Sequence, residues 1–92
     1  MHSFETGKLY ATRGIIDAVA EDSNYGNEIM KCLEKYLKKD WGNLCLEDKE
    51  ANEDALKEDS RILAKYNTTY GAIYIITEWN REFTTILFAS EY

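Results

Sequence analysis

Ninety-two residues carrying a net charge of −6 make one domain, residues 1–92, near the lower end of what folds without staples. A content of 45% hydrophobic and 13% aromatic residues excludes a disordered chain. The excess of acid disfavours direct binding of DNA or RNA through a basic surface.

The longest apolar run, Ala72 to Ile76, falls far short of a membrane span. The N-terminal "MHSFETGKLYATRG" has no apolar core of the kind a secretory signal needs. The expected setting is the cytoplasm, with no membrane partner. Cys32 and Cys45 are too few for a disulfide framework, and both occupy apolar-patterned positions. Two reduced, partly buried thiols are expected.

The elements follow in chain order. Lys8 to Ala11 reads as a short strand. Thr12 is a fair N-cap for a helix over "RGIIDAVAED", with Ile15, Ile16, Ala18 and Val19 on its apolar side. "DSNYGN" reads as a break. A second helix is predicted from about Asn27 to Lys39, where Ile29, Met30, Leu33, Tyr36 and Leu37 recur at helical spacing. Lys35, Lys38 and Lys39 fall in its last turns, which suits the negative end of the helix dipole. "DWGN" ends it, with Gly42 supplying backbone freedom.

A third helix is predicted over Glu47 to Glu58, with a thin apolar stripe of Ala51, Ala55 and Leu56 beside Asn52. From Arg61 the period changes to that of a strand. "RILAKYN", "AIYIITE" and "EFTTILF" are rich in residues that suit a pleated sheet, and short turns join them. The expected fold is α+β with two layers. Three helices pack on one face of a small antiparallel sheet, built from a C-terminal three-stranded meander and an N-terminal edge strand.

Catalytic chemistry finds little to work with. The single histidine is His2, near the terminus, and a Ser-His or Cys-His pair needs a base held within hydrogen-bond reach. The five glycines form no phosphate-cradling motif. Cys32 and Cys45 stand thirteen apart without a CxxC, so with His2 they supply at best three zinc ligands. "DKEANED" lacks the glycine turn of a calcium loop. Glu47, Asp48 and Glu50 are dense enough to ligate magnesium, but solvent-facing helical carboxylates are seldom catalytic. No enzyme, cofactor or metal is therefore expected. The seven tyrosines suggest a stacking platform for single strands, but Tyr66 and Tyr74 in strands and Tyr36 on a helix stripe fit core or half-buried roles better.

Several stretches taken together, "ATRGI", "DWGNLCLEDKEANEDAL", "RILAKY" and "IITEWNREFTTILFASEY", resemble a family of small bacterial proteins of about this length. Its members are often carried by plasmids, phages or integrated elements, and some bear an automatic label linking them to type I restriction systems. The resemblance covers most of the chain and keeps the motif order. It implies a mobile-element setting, in which a small protein must survive host nucleases, and so an anti-CRISPR or anti-restriction role. It supplies no binding residues. One departure is visible: Trp79 and Asn80 stand at a hairpin tip where the family pattern leads one to expect small or acidic residues.

The charge itself is uneven. Residues 47–59 hold seven acids and two bases, a net −5, whereas residues 1–46 sum to −1 and residues 60–92 to zero. Glu47, Glu50, Asp54 and Glu58 advance by three, four and four along one side of the helix. Two of these steps are like-charge i,i+4 pairs, each costing a few tenths of a kcal/mol. The favourable pair of Glu53 with Lys57 only partly offsets them. The ridge spans roughly 16 Å of helix, a length that holds about five phosphates on one DNA strand and about ten on a duplex.

Two readings stay open. One is a solvated face that keeps a small domain soluble. The other is a ridge that competes for a partner's basic nucleic-acid channel. The second predicts a partner-binding surface of Glu47, Asp48, Glu50, Glu53, Asp54, Glu58, Asp59 and Trp79. The partner would be a protein with a basic surface, either a CRISPR effector or a restriction nuclease, and the chain a monomer or weak dimer. The alternative function is an accessory interaction module of the mobile element without inhibitory activity.

Overall fold

A computed structural model describes residues 4–92; the position of His2 lies outside them. The element order is β1 (Lys8–Ala11), α1 (Arg13–Glu21), α2 (Ser23–Leu37), α3 (Leu46–Glu58), β2 (Ile62–Thr68), β3 (Gly71–Thr77) and β4 (Phe83–Phe88), with a terminal 3₁₀ turn at Ala89–Glu91. The fold is α+β, as the change of period predicts.

Four strands form one sheet in the order β1-β4-β3-β2. The meander β2-β3-β4 is antiparallel, with Ala64 opposite Ile75 and Ile75 opposite Ile86. The expectation of a wholly antiparallel sheet is corrected by β1, which lies parallel to β4 with Leu9 opposite Thr84. The entry and exit of the strand fix this direction. Lys8 N–H donates to Glu82 C=O at 3.0 Å as the chain enters, and Thr12 N–H donates to Ile86 C=O at 3.0 Å as it leaves for α1. Partners so far apart in sequence leave no trace in local periodicity.

The core lies between the sheet and the helices. Ile62, Ala64 and Tyr66 of β2, Ile73 and Ile75 of β3, and Ile86 of β4 point into it, against Ile15, Tyr25, Ile29, Leu33 and Tyr36. Thr77 and Thr84, also buried, are polar exceptions. The Tyr36 hydroxyl lies 2.6 Å from Thr77 Oγ1, Thr77 Oγ1 lies 2.7 Å from Thr84 Oγ1, and Thr84 donates to Thr6 C=O at 2.7 Å. Since the last acceptor is a carbonyl, every proton in the chain points from Tyr36 towards Thr6.

The "DSNYGN" stretch is no loop, and α2 begins four residues earlier than predicted. A single residue, Asp22, separates the first two helices, and its carboxylate accepts from Asn24 N–H at 3.0 Å. Residues that favour turns also favour the first turn of a helix, where they satisfy free N–H groups. Tyr25, inside that stretch, is fully buried. Thr12 does occupy the N-cap of α1, but its hydroxyl donates to Glu91 at 2.8 Å instead of capping the helix. Ile16 and Met30, placed on apolar stripes by their spacing, stay more than half exposed.

The two edges of the sheet differ. Along β2 five of the six outward backbone groups of Leu63, Lys65 and Asn67 are engaged. Asn52 of α3 bonds both groups of Leu63, Trp41 and Asn43 bond the two groups of Lys65, and the Asn43 side chain accepts from Asn67 N–H. Gly42 makes this approach possible: its φ is +76° and a Cβ there would sit 2.1 Å from Lys65 O. Trp41 is then buried against Phe4 and Tyr36. Along β1 no such cover exists among the described residues.

Candidate interaction surface on the acidic helix

Helix α3 is held by polar bonds more than by burial. Of its thirteen residues only Asn52 and Ala55 are buried. Ala51 is exposed, which corrects its place on the predicted stripe; the supported side runs through Lys49, Asn52, Ala55 and Leu56. Three polar attachments supply the rest. Asn52 makes its paired bonds to Leu63, Glu53 Oε2 accepts from Trp41 Nε1 at 2.8 Å, and Arg81 reaches the C-terminal end.

That last contact joins the helix to the hairpin tip. Arg81 Nη2 donates to Ala55 C=O at 3.0 Å, and its Nη1 donates to Ser60 C=O at 2.7 Å and to Glu78 C=O at 3.0 Å. A cation is thus placed on carbonyls at the negative end of the helix, where it complements the dipole. Asp59 caps the same end in the left-handed conformation, at φ 53° and ψ 49°. Arg81, itself at φ 60°, belongs to the β3–β4 turn that carries Trp79. In consequence Trp79, 64% exposed, shares one shallow depression of about 390 Å³ with Asp59, Asn80, Arg81 and Glu5.

The predicted surface residues fall into two groups. Glu47, Asp48, Glu50, Asp54, Glu58 and Asp59 are exposed, and among the described residues none of their carboxylates accepts a hydrogen bond or forms an ion pair. Glu53 differs, since its carboxylate is tied to Trp41. The expected Glu53–Lys57 ion pair does not form; the one ion pair among the described residues is Arg13 with Asp17 at 3.8 Å. Sequence reasoning missed Arg81. A lone arginine two residues past a tryptophan gives no local sign that it will cap a helix twenty-six residues earlier.

Other candidates resolve differently. Cys32 is buried in α2, where burial pushes its thiol pKa up, whereas Cys45 is exposed at the N-cap of α3, against expectation. Its apolar neighbour Leu46 is likewise 72% exposed, so the pattern there did not signal the core. Tyr36 and Tyr66 are buried and Tyr74 half-buried. Among the described residues no three His, Cys, Asp or Glu side chains converge as metal ligands. No helix among them is long and apolar enough to cross a membrane.

Comparison with family models, with curated proteins and with solved structures finds no match to this chain. The surface offers six exposed carboxylates without partners among the described residues, a large exposed aromatic ring beside them, and hydrogen bonds that tie both to the sheet.

Proposed function

We propose that the chain is a non-enzymatic inhibitor of a bacterial host-defence nuclease, a CRISPR effector or a restriction enzyme. In this reading α3 enters the basic surface where the nuclease holds guide or target, and Trp79 anchors the contact from the side. The observation that carries the reading is the ridge of Glu47, Glu50, Asp54 and Glu58: exposed carboxylates without cationic partners among the described residues, on a helix bolted to the sheet edge by Asn52, Trp41 and Arg81. A helix fixed in this way loses little freedom on binding, which favours affinity. Charge of one sign on one side steers a basic partner. An exposed tryptophan is the residue type that most often dominates a protein interface. The resemblance of the sequence to proteins of mobile elements supplies the setting.

The test is direct. DNA cleavage by a purified CRISPR effector and by a type I restriction complex is measured with increasing amounts of the chain. Inhibition should follow one-to-one titration, with the inhibited complex no longer retaining labelled guide or target. A parent protein that protects substrate from neither enzyme would reduce the ridge to a solvated face and favour the accessory-module alternative.

A further inference from the structure

The free edge of the sheet carries a second surface, remote from the acidic helix. In β1 the backbone groups of Lys8, Tyr10 and Thr12 face β4, as the bonds from Lys8 to Glu82 and from Thr12 to Ile86 require. The N–H and C=O groups of Leu9 and Ala11 therefore point outward, and nothing among the described residues covers them. Apolar side chains flank this edge on both faces. Leu9 is 50% exposed on the helix side and Tyr10 is 51% exposed on the open side, where its ring meets Phe83 edge-on at 5.9 Å. Directly beside Ala11 lies a groove of about 420 Å³ between α1 and α2, lined by Ile15, Ile16, Val19, Ile29 and Met30.

We infer that this edge is the interface for a second copy of the chain, the two β1 strands pairing antiparallel about a two-fold axis through Tyr10. The geometry is self-complementary, as an isologous contact must be. Pairing Leu9 of one copy with Ala11 of the other matches the two outward-facing residues of each strand, so both pairs exchange ladder hydrogen bonds. It also seats the large exposed Leu9 beside the small Ala11 of its partner, at the mouth of the α1–α2 groove, and does so twice. Tyr10 meets Tyr10 on the open face.

Charge distribution fits this occupant. The two acidic helices lie at the far edges of the resulting eight-stranded sheet. Seven strand spacings, about 33 Å, separate the two β2 strands, several times the ~8 Å over which salt screens exposed charge. A contact of four-residue strands with a few apolar side chains is smaller than the standard ~800 Å² per partner, so the dimer is a weak, concentration-dependent one. This surface does not depend on the inhibitory reading.

Sedimentation equilibrium of the full chain, from about 1 µM to about 500 µM, should show a saturating monomer–dimer transition. Leu9→Lys would place an ammonium against the partner's groove and should raise the dissociation constant at least tenfold. Its melting temperature, extrapolated to low concentration, should stay at the parent value, since Leu9 is outside the core. Register is tested by cross-linking in a Cys45→Ser background. Tyr10→Cys should oxidise to a covalent dimer, because a central non-hydrogen-bonded pair has Cα atoms about 4.5 Å apart. Leu9→Cys should not, because its own copy is a diagonal neighbour about 7–8 Å away. A parent that stays monomeric throughout, or equal cross-linking by both cysteine variants, would overturn the inference; the first result would point to an extended segment of another protein as occupant.

Discussion

Asn52 and Leu63 bond to each other as two strands would. The Asn52 amide donates to Leu63 C=O at 2.7 Å and accepts from Leu63 N–H at 3.1 Å. One side chain thus does the work of a strand residue and fixes a helix that has little apolar surface to bury. Asn52→Ala should leave both backbone groups of Leu63 without partners, at a cost of about 1–3 kcal/mol. The check is thermal unfolding together with hydrogen exchange, in which the Leu63 amide should lose protection more than the amides of β3. Asn52→Asp should cost more, because a carboxylate would face the Leu63 carbonyl.

The Tyr36–Thr77–Thr84 chain gives a second prediction. Thr77→Val leaves the buried Tyr36 hydroxyl without its acceptor and Thr84 without its donor, and should destabilise by about 1–3 kcal/mol. Tyr36→Phe should cost less, about 1 kcal/mol, since Thr77 can still donate to Thr84. The double variant should be non-additive, and denaturant unfolding of the four proteins in the cycle measures that coupling.

The same tyrosine sets the behaviour in alkali. Burial pushes the Tyr36 phenol well above its ordinary value, and it does the same to Tyr66, with the Asp40 charge adding to the effect. The folded chain therefore holds these protons more tightly than the unfolded chain does. Their stabilising contribution is complete below about pH 10, and it is lost as pH rises through the raised folded-state values. Ultraviolet absorbance should show the buried tyrosines ionising together with loss of structure, and Tyr36→Phe should shift that transition to higher pH.

Charge on the ridge predicts opposite signs for stability and binding. Replacing Glu50 and Glu58 by Gln and Asp54 by Asn removes both like-charge pairs and should raise stability by roughly 0.5 kcal/mol. If the ridge is the docking surface, the same variant should inhibit less than the parent, and Glu50, Asp54 and Glu58 all changed to Lys should abolish inhibition. Parent association should also slow as salt rises. Thermal unfolding beside a cleavage assay reads both quantities. Equal inhibition by all three proteins would sink the ridge hypothesis.

The hairpin tip supplies a final prediction. Arg81→Lys keeps the charge but cannot reach Ala55, Ser60 and Glu78 together. It should loosen the C-terminal turn of α3 and the Trp79 turn alike, with faster hydrogen exchange at both and a loss of about 1–2 kcal/mol. Trp79→Ala should leave the stability within about 0.5 kcal/mol, as an exposed position, while weakening any partner that uses the ring.

Legibility in the sequence followed the range of the interaction. The three C-terminal strands were readable because Ile62, Ala64 and Tyr66 alternate within seven residues. The acidic helix was readable because its dipole-compatible start at Glu47 and Asp48 is local. Asp22 was misread because a turn and a helix start use the same side chains, and only the packing of Tyr25 decides between them. The parallel direction of β1, the burial of Trp41 and the cap supplied by Arg81 each depend on a partner distant in the chain. Of the surface, the ridge was visible in spacing, whereas the link from Trp79 to the end of α3 was not. Leu9 raised no flag at all, since one leucine in a short strand reads as core.

The unequal edges of the sheet have a consequence for assembly. A sheet open on both sides can serve as a repeating unit, because each addition exposes a new edge for the next. Here Asn52, Trp41 and Asn43 cover most of β2, which leaves β1 as the open edge among the described residues. In the proposed dimer, pairing through β1 would consume the open edge of both participants and end growth there, which would keep a chain with an aromatic, β-branched meander from running on into fibrils.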